Sequence, residues 1–166
     1  MNSYDKQIPK TYFPRLLLTL SFALTALLGV AQTGTWTWMH GANTPYGNPT
    51  YGTMGVAAPA NKPFAFYEAA QWTDSDGRFW IFGGSNPGNY CHGELWCFDP
   101  GTLMWTWKKG MNASNFPGVY GTMGVPSPAN YPGARGWGTV SWADTLGNLW
   151  LFGGEGYDIN ANYGVL

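Results

Sequence analysis

The sequence is short of charge. Asp, Glu, Lys and Arg make up only 10% of its 166 residues, the formal net charge is -1, and no basic cluster exceeds the pair Lys108-Lys109. A nucleic-acid binder needs a basic face to neutralise phosphates, so that class has no support. Only two His and two Cys are present. A metal centre wants three or four converging ligands, so no metal or cofactor is expected. Good helix formers give way to 24 Gly, 12 Pro, 10 Trp and 10 Tyr, which speaks against a helical bundle. Aromatics at 17% speak against disorder, because disordered chains are poor in aromatics and rich in charge. What remains is an all-β, turn-rich, aromatic-rich protein.

One apolar run stands out, LLLTLSFALTALLGVA from Leu16 to Ala31, preceded by Lys6, Lys10 and Arg15 against the single acid Asp5. It ends with Gly29 and Ala31 placed at −3 and −1 of a cut before Gln32. A basic stretch, an apolar stretch and small residues at the cut are the layout of a secretory signal. The run falls short of the roughly 20 apolar residues of a spanning helix. Residues 1–31 are therefore expected to be a signal peptide and 32–166 the exported part, secreted or at the cell surface, with no membrane association after cleavage. The exported part holds five Lys/Arg and eight Asp/Glu.

That part repeats. WTWMHGANTPYGNPTYGTMGVAAPAN from Trp36 returns as WTWKKGMNASNFPGVYGTMGVPSPAN from Trp105, 69 residues on, with fourteen of 26 positions identical. QWTDSDGRFWIFGG from Gln71 returns as SWADTLGNLWLFGG from Ser141, now 70 residues on, with seven of 14 identical. Repeat units of about 36–104 and 105–166 follow. The alternation of short apolar runs and turn residues predicts strands at Phe66–Trp72, Phe79–Phe82, Leu95–Phe98 and Met104–Trp107. In the second unit it predicts Gly136–Trp142 and Leu149–Phe152, and an isolated strand at Trp36–Met39 precedes the first unit. The Trp residues at 80, 96, 105, 107 and 150 read as packing between sheets, since one large aromatic buries on the order of 150–250 Å².

A strand ending in Gly83-Gly84, then a loop, then Leu95-Trp96-Cys97-Phe98-Asp99-Pro100 and Trp105, resembles the kelch motif, and Gly153-Gly154 begin it again. Pro132–Trp142 resembles the kelch first strand. The first unit departs there, with Pro63-Phe64-Ala65-Phe66 where the second has Pro132-Gly133-Ala134-Arg135. The likeness spans 36–166 and is similar to a bacterial surface subfamily with WTW…YGT.GV…N.PGAR repeats. It implies kelch-type β-propeller blades of four antiparallel strands, here about one and a half blades plus a leading strand. A propeller closes with about four to eight blades, so the remaining ones are expected from a longer chain.

In such a meander the 2–3 and 4–1 loops leave one face, and these are the long ones: Ser85–Glu94, His40–Ala65, Glu155–Val165 and Lys108–Ala134. What repeats, such as YGTMGV, reads as loop folding; what differs reads as contact with a ligand. That picks Tyr46, Asn48, Asn86, Asn89, Tyr90, His92, Asn115, Phe116, Tyr157, Asp158 and Tyr163, residue types suited to sugars but equally at home in turns. Asp74, Asp76, Asp99 and Asp144 read as turn formers. An exported chain allows a Cys91–Cys97 disulfide; a buried free thiol at Cys97 is the other reading. Asn112-Ala113-Ser114 fits the glycosylation sequon. No catalytic set converges. The expected function is a binding or adhesion module for glycan or protein. The alternative is a galactose-oxidase-like sugar enzyme whose catalytic residues lie in the missing blades.

Overall fold

The computed structural model describes residues 34–88 and 90–166. The signal segment 1–31 and Asn89 lie outside the described residues. The chain divides into two units, Met1–Trp38 and Met39–Leu166. In the first, residues 34–38 carry no strand or bridge. The leading strand expected at Trp36–Met39 is thus not formed.

The second unit is all-β. Its strands are β1 (Ala70–Thr73), β2 (Phe79–Phe82), β3 (Ser85–Asn86), β4 (Tyr90–Cys91), β5 (Leu95–Asp99), β6 (Met104–Lys109), β7 (Val140–Ala143), β8 (Leu149–Phe152), β9 (Glu155–Tyr157) and β10 (Tyr163–Val165). Strands β1, β2, β5 and β6 form one antiparallel sheet in that order. The pairs β3–β4, β7–β8 and β9–β10 are separate antiparallel hairpins. Among the described residues no helix is long and apolar enough to cross a membrane.

The first strand of each unit starts later than its apolar pattern suggests. Glu68 takes a φ of 57° and Gly138 one of 73°, and such left-handed residues interrupt a ladder. Ahead of β1, Tyr67 makes only a lone bridge to Ser85. The segments Ser85–Glu94 and Glu155–Val165, read above as loops, each fold into a small hairpin. Tyr163–Val165 therefore pairs with β9 and does not begin a third strand beside β8.

Three turns are closed in the same way. Asp74 Oδ1 accepts the backbone N–H groups of Asp76 (3.0 Å) and Arg78 (2.9 Å), and Oδ2 accepts the Trp80 indole (2.8 Å). Asp144 repeats this with Leu146, Asn148 and Trp150, each at 2.9 Å. Asp158 takes Asn160 and Asn162 at 2.8 Å. Each Asp thus supplies local acceptors that fix the turn. Asp99 accepts Gly101 N–H at 2.8 Å in a shorter version. Gly83 and Gly84, at φ 69° and 99°, turn the chain where a Cβ on Gly83 would come within 2.6 Å of the Arg135 carbonyl oxygen. Gly153 and Gly154 repeat the conformation at 69° and 92°.

The β1–β2 and β7–β8 hairpins meet around one ring. Ala70, Trp72 and Phe82 are buried, with Leu149 and Leu151 of β8 packed against them. The Trp72 indole N–H donates to the carbonyl oxygens of Trp142 (3.2 Å) and Trp150 (3.1 Å). Ser141 Oγ donates to the Gln71 carbonyl at 3.1 Å. The ring that joins the sheets is thus Trp72. Trp150, expected in that role, offers its carbonyl and leaves about half its ring exposed. On the other face of the first sheet Trp96 is buried, with Trp105 edge-on to it at 6.5 Å and Tyr51 at 5.4 Å.

Trp72→Ala removes a buried indole and should cost about 3–5 kcal/mol, whereas Trp72→Phe keeps most of the ring and should cost about 1 kcal/mol for the lost donor. Denaturant melts followed by circular dichroism measure both; equal losses would show that the hydrogen bonds, not the packing, join the sheets. A pH effect follows from the turns. Desolvation, the largest single effect on Asp74, raises its carboxyl, but hydrogen bonds from Trp80 and Arg78 outweigh it and bring it down to about 2. Asp144 is drawn down to about 2 by the Asn148 side chain, then Trp150 and the Asn148 backbone. An unfolded Asp titrates near 3.9, so their stabilisation is present above that value and is lost as pH falls through about 2. The melting temperature should drop between about pH 4 and 2, and less steeply in Asp144→Ala, as calorimetry across that range would record.

Candidate functional site

The first repeat departs from the second where Phe64 and Phe66 replace Gly133 and Arg135. Those rings flank a histidine. His92 stacks on Phe64 at 5.0 Å and lies 6.5 Å from Phe66. It follows β4, so the β3–β4 hairpin carries it toward the segment before β1. His92 N–H donates to the Gly84 carbonyl at 2.9 Å, and the His92 carbonyl accepts Arg135 N–H at 2.8 Å. Its ring is almost wholly buried and its Nδ1 lies 3.3 Å from Glu94 Oε1. The Tyr51 hydroxyl donates to the same Glu94 oxygen. Burial, then the hydrogen bond to Glu94 and its charge, push the Tyr51 phenol well above the usual tyrosine range. The phenol therefore stays a neutral donor and locks the carboxylate in place.

Beside this set lies an open cleft of about 320 Å³ lined by Pro49, Tyr51, Phe64, Asn86, Tyr90, His92 and the Asn112-Ala113-Ser114 stretch. Two of its polar atoms are buried with no hydrogen-bond partner among the described residues: His92 Nε2 and Asn86 Oδ1. A buried polar group left unpaired costs about 1–3 kcal/mol, so a ligand that satisfies both is favoured. Tyr90 is about half exposed at the rim. The cleft joins the His40–Ala65, Ser85–Glu94 and Lys108–Ala134 segments. It offers amide, imidazole and hydroxyl groups beside the rings of Tyr51, Phe64 and Tyr90.

The structure separates the other candidates from this cleft. Phe116 is a core residue, packed with Cys91 and Ala134 and 5.8 Å from the Tyr131 ring. Its side chain is spent on packing, which removes it as a ligand contact. Tyr157 packs on the same core and on Tyr163 at 5.3 Å. Asp158 spends its carboxylate on its own turn, with Asn162 Nδ2 added at 3.0 Å. Asn115 Oδ1 caps the Cys91 N–H at 2.8 Å. Tyr163 donates to Glu155 at 2.6 Å, and that bond leads in raising its phenol to about 12. Tyr46 is exposed, and Asn48 lines a separate depression with His40.

Cys91 and Cys97 are both free and buried, so the disulfide does not form. Cys91 belongs to the small hairpin, where its Sγ lies 3.9 Å from Ser85 Oγ, while Cys97 sits inside the main sheet opposite Trp80 and Thr106. Burial raises both thiols. Among the described residues no three His, Cys, Asp or Glu side chains gather to hold a metal.

Sequence reasoning passed over Tyr51, Phe64 and Glu94. Tyr51 was hidden by its place in the repeated YGTMGV, where its counterpart Tyr120 accepts a hydrogen bond from Arg135 at 2.7 Å. Phe66 replaces that Arg in the first repeat, and Tyr51 turns to Glu94 instead. The PFAF departure was the available signal.

Glu94→Gln should lower the pH at which Tyr51 ionises, while burial, the larger cause, keeps it above the ordinary value. A raised phenol stabilises the fold below the ordinary tyrosine value, and that contribution fades as pH rises through it. Tyrosinate absorbance, taken as wild type minus Tyr51→Phe, reads the shift; an unchanged midpoint in Glu94→Gln would break the Tyr51–Glu94 link. No protein-family model matches the chain, and neither a curated protein nor a solved structure matches it.

Proposed function

We propose that the chain is an exported, kelch-type propeller segment whose cleft at Asn86, Tyr90 and His92 binds a polyhydroxylated ligand, a glycan at the cell surface or outside the cell. One observation carries this reading: His92 Nε2 and Asn86 Oδ1 are buried and unpartnered at the wall of a cleft rimmed by Tyr90. A sugar supplies what they lack. Its hydroxyls donate and accept, and its apolar face lies on an aromatic ring. Sites of this kind pair a few fixed polar groups with an apolar wall.

The blade reading is supported by the four-strand antiparallel order β1-β2-β5-β6, the recurrence of the Gly-Gly pair, and the packing of one repeat's hairpin on the other's sheet. The scaffold is rigid where the turns are closed by Asp and open where loops converge, which is the usual division between frame and recognition. The Tyr51–Glu94–His92 chain sets the imidazole's orientation. With Glu94 holding Nδ1, the Nε2 edge is presented to the ligand.

The test is a glycan array on the purified protein, followed by calorimetric titration of the best binder. Tyr90→Ala changes an exposed side chain and should weaken binding at least tenfold, as loss of an aromatic contact of about 1.4 kcal/mol implies. Asn86→Ala should weaken it as well. No glycan bound, or binding indifferent to both substitutions, would refute the assignment.

A further inference from the structure

The two atoms of the cleft that lack partners are of one kind. Glu94, 4% exposed, accepts the Tyr51 hydroxyl and lies 3.3 Å from His92 Nδ1. A carboxylate can only accept, so the neutral imidazole carries its proton on Nδ1 and leaves Nε2 a bare acceptor. Asn86 Oδ1 is a carbonyl oxygen and also accepts. Both are buried without a partner among the described residues. The Tyr90 and Ser114 hydroxyls and the Asn112 amide can donate or accept, and all three residues are exposed. Water satisfies them in either direction. The demand on a ligand is therefore set by the two bare acceptors.

Charge points the same way. Among the described residues no Lys or Arg lines the cleft. In the second repeat the Arg135 guanidinium donates to Tyr120 at 2.7 Å, but Phe66 holds that position in the first. The cation that could receive an anion is thus replaced by a ring. Behind the imidazole stands the Glu94 carboxylate, whose field is little weakened at a buried site and opposes a second negative charge. The acceptors are also held in place. Asn115, at φ 60°, clamps Cys91: its Oδ1 accepts the Cys91 N–H and its own N–H donates to the Cys91 carbonyl, each at 2.8 Å. Cys91 lies between Tyr90 and His92, and Asn86 pairs with Tyr90 across the same hairpin. The site is set before a ligand arrives, which lowers the cost of binding.

We infer that the cleft recognises its ligand by accepting: it takes an uncharged glycan that donates one hydroxyl proton to His92 Nε2 and another to Asn86 Oδ1, and it selects against acidic sugars. This selectivity rests on the glycan reading above and adds to it the direction of the hydrogen bonds.

Calorimetric titration of the purified full chain at about pH 8, above the ordinary imidazole value of about 6.5, tests this. The probes are neutral gluco- and galacto-oligosaccharides and oligogalacturonates of equal length. The best neutral binder is then prepared as deoxy and deoxyfluoro pairs, one hydroxyl at a time. Fluorine keeps roughly the size of a hydroxyl and accepts weakly, but it cannot donate. At two hydroxyls both members of the pair should bind about tenfold or more weakly than the parent, because the acceptor they faced is left unpaired. Fewer than two such hydroxyls, or a fluoro sugar that restores binding at them, overturns the inference. Asn86→Asp keeps an acceptor and gives up the amide donor at a half-buried position. It should bind the neutral glycan about tenfold tighter than Asn86→Ala does, with circular dichroism checking that both are folded. An aspartate no better than the alanine would make the amide a donor and equally refutes the inference. An acidic oligomer that binds more tightly than its neutral counterpart overturns this selectivity and leaves the glycan reading standing. If no glycan of either kind binds, that reading falls and this one with it.

Discussion

The structure depends on an indole set between two sheets. Trp72 buries its ring against Leu149 and Leu151 while its N–H reaches two main-chain carbonyls on the neighbouring hairpin. The apolar body drives contact without direction, and the single donor fixes how far and at what angle the sheets approach. A leucine at the same place would supply the first effect alone.

The turns make that contact available. Asp74 and Asp144 each hold a turn and also accept the indole N–H of the Trp six residues on, Trp80 and Trp150. A short hairpin is marginal by itself. Tying its turn to a ring in its own second strand reduces the freedom lost when the hairpin docks. The same tie fixes the register of β7 and β8, only four residues each. Trp142 and Trp150 stack on each other at the open side of this hairpin.

Much of this was readable from residues alone. Strands β2 and β8 fall at the predicted positions, since Gly-Gly pairs and Asp turns bracket their apolar runs. The starts of β1 and β7 were not readable, because Glu68 and Gly138 adopt left-handed φ values that no apolar pattern announces. The small hairpins were missed for a related reason. Two- and three-residue strands carry too little alternation to be seen, and Ala161, at φ 61°, fills a turn position that would ordinarily advertise itself with Gly. Asn86, Tyr90 and His92 were singled out because they differ between the copies, and they line one cleft. Tyr51 escaped because it is the same in both. Phe116 was chosen by that same rule and turned out to be core. Difference between repeats marks a changed environment, and packing changes environments as readily as ligands do.

Tyr51 and Tyr120 show how one repeated residue acquires two tasks. In the second repeat the phenol faces Arg135, which donates to it. In the first repeat Phe66 has taken the place of that Arg, and the phenol becomes the donor, to Glu94. Reversing the direction of one hydrogen bond leaves a buried carboxylate available to orient an imidazole, and the two Phe rings that made room for the change also wall the imidazole in. A cationic pairing was thus exchanged for an aromatic pocket by substitutions at two positions, with the surrounding frame retained. The loop frame survives because Asn61 and Asn130, equivalent residues, both tie their amides to main-chain carbonyls five residues back, Val56 and Val125. With the loop held by those bonds, the side chains at its far end can differ freely, and a repeat protein of this build can acquire a site in one unit without disturbing the contact that joins it to the next.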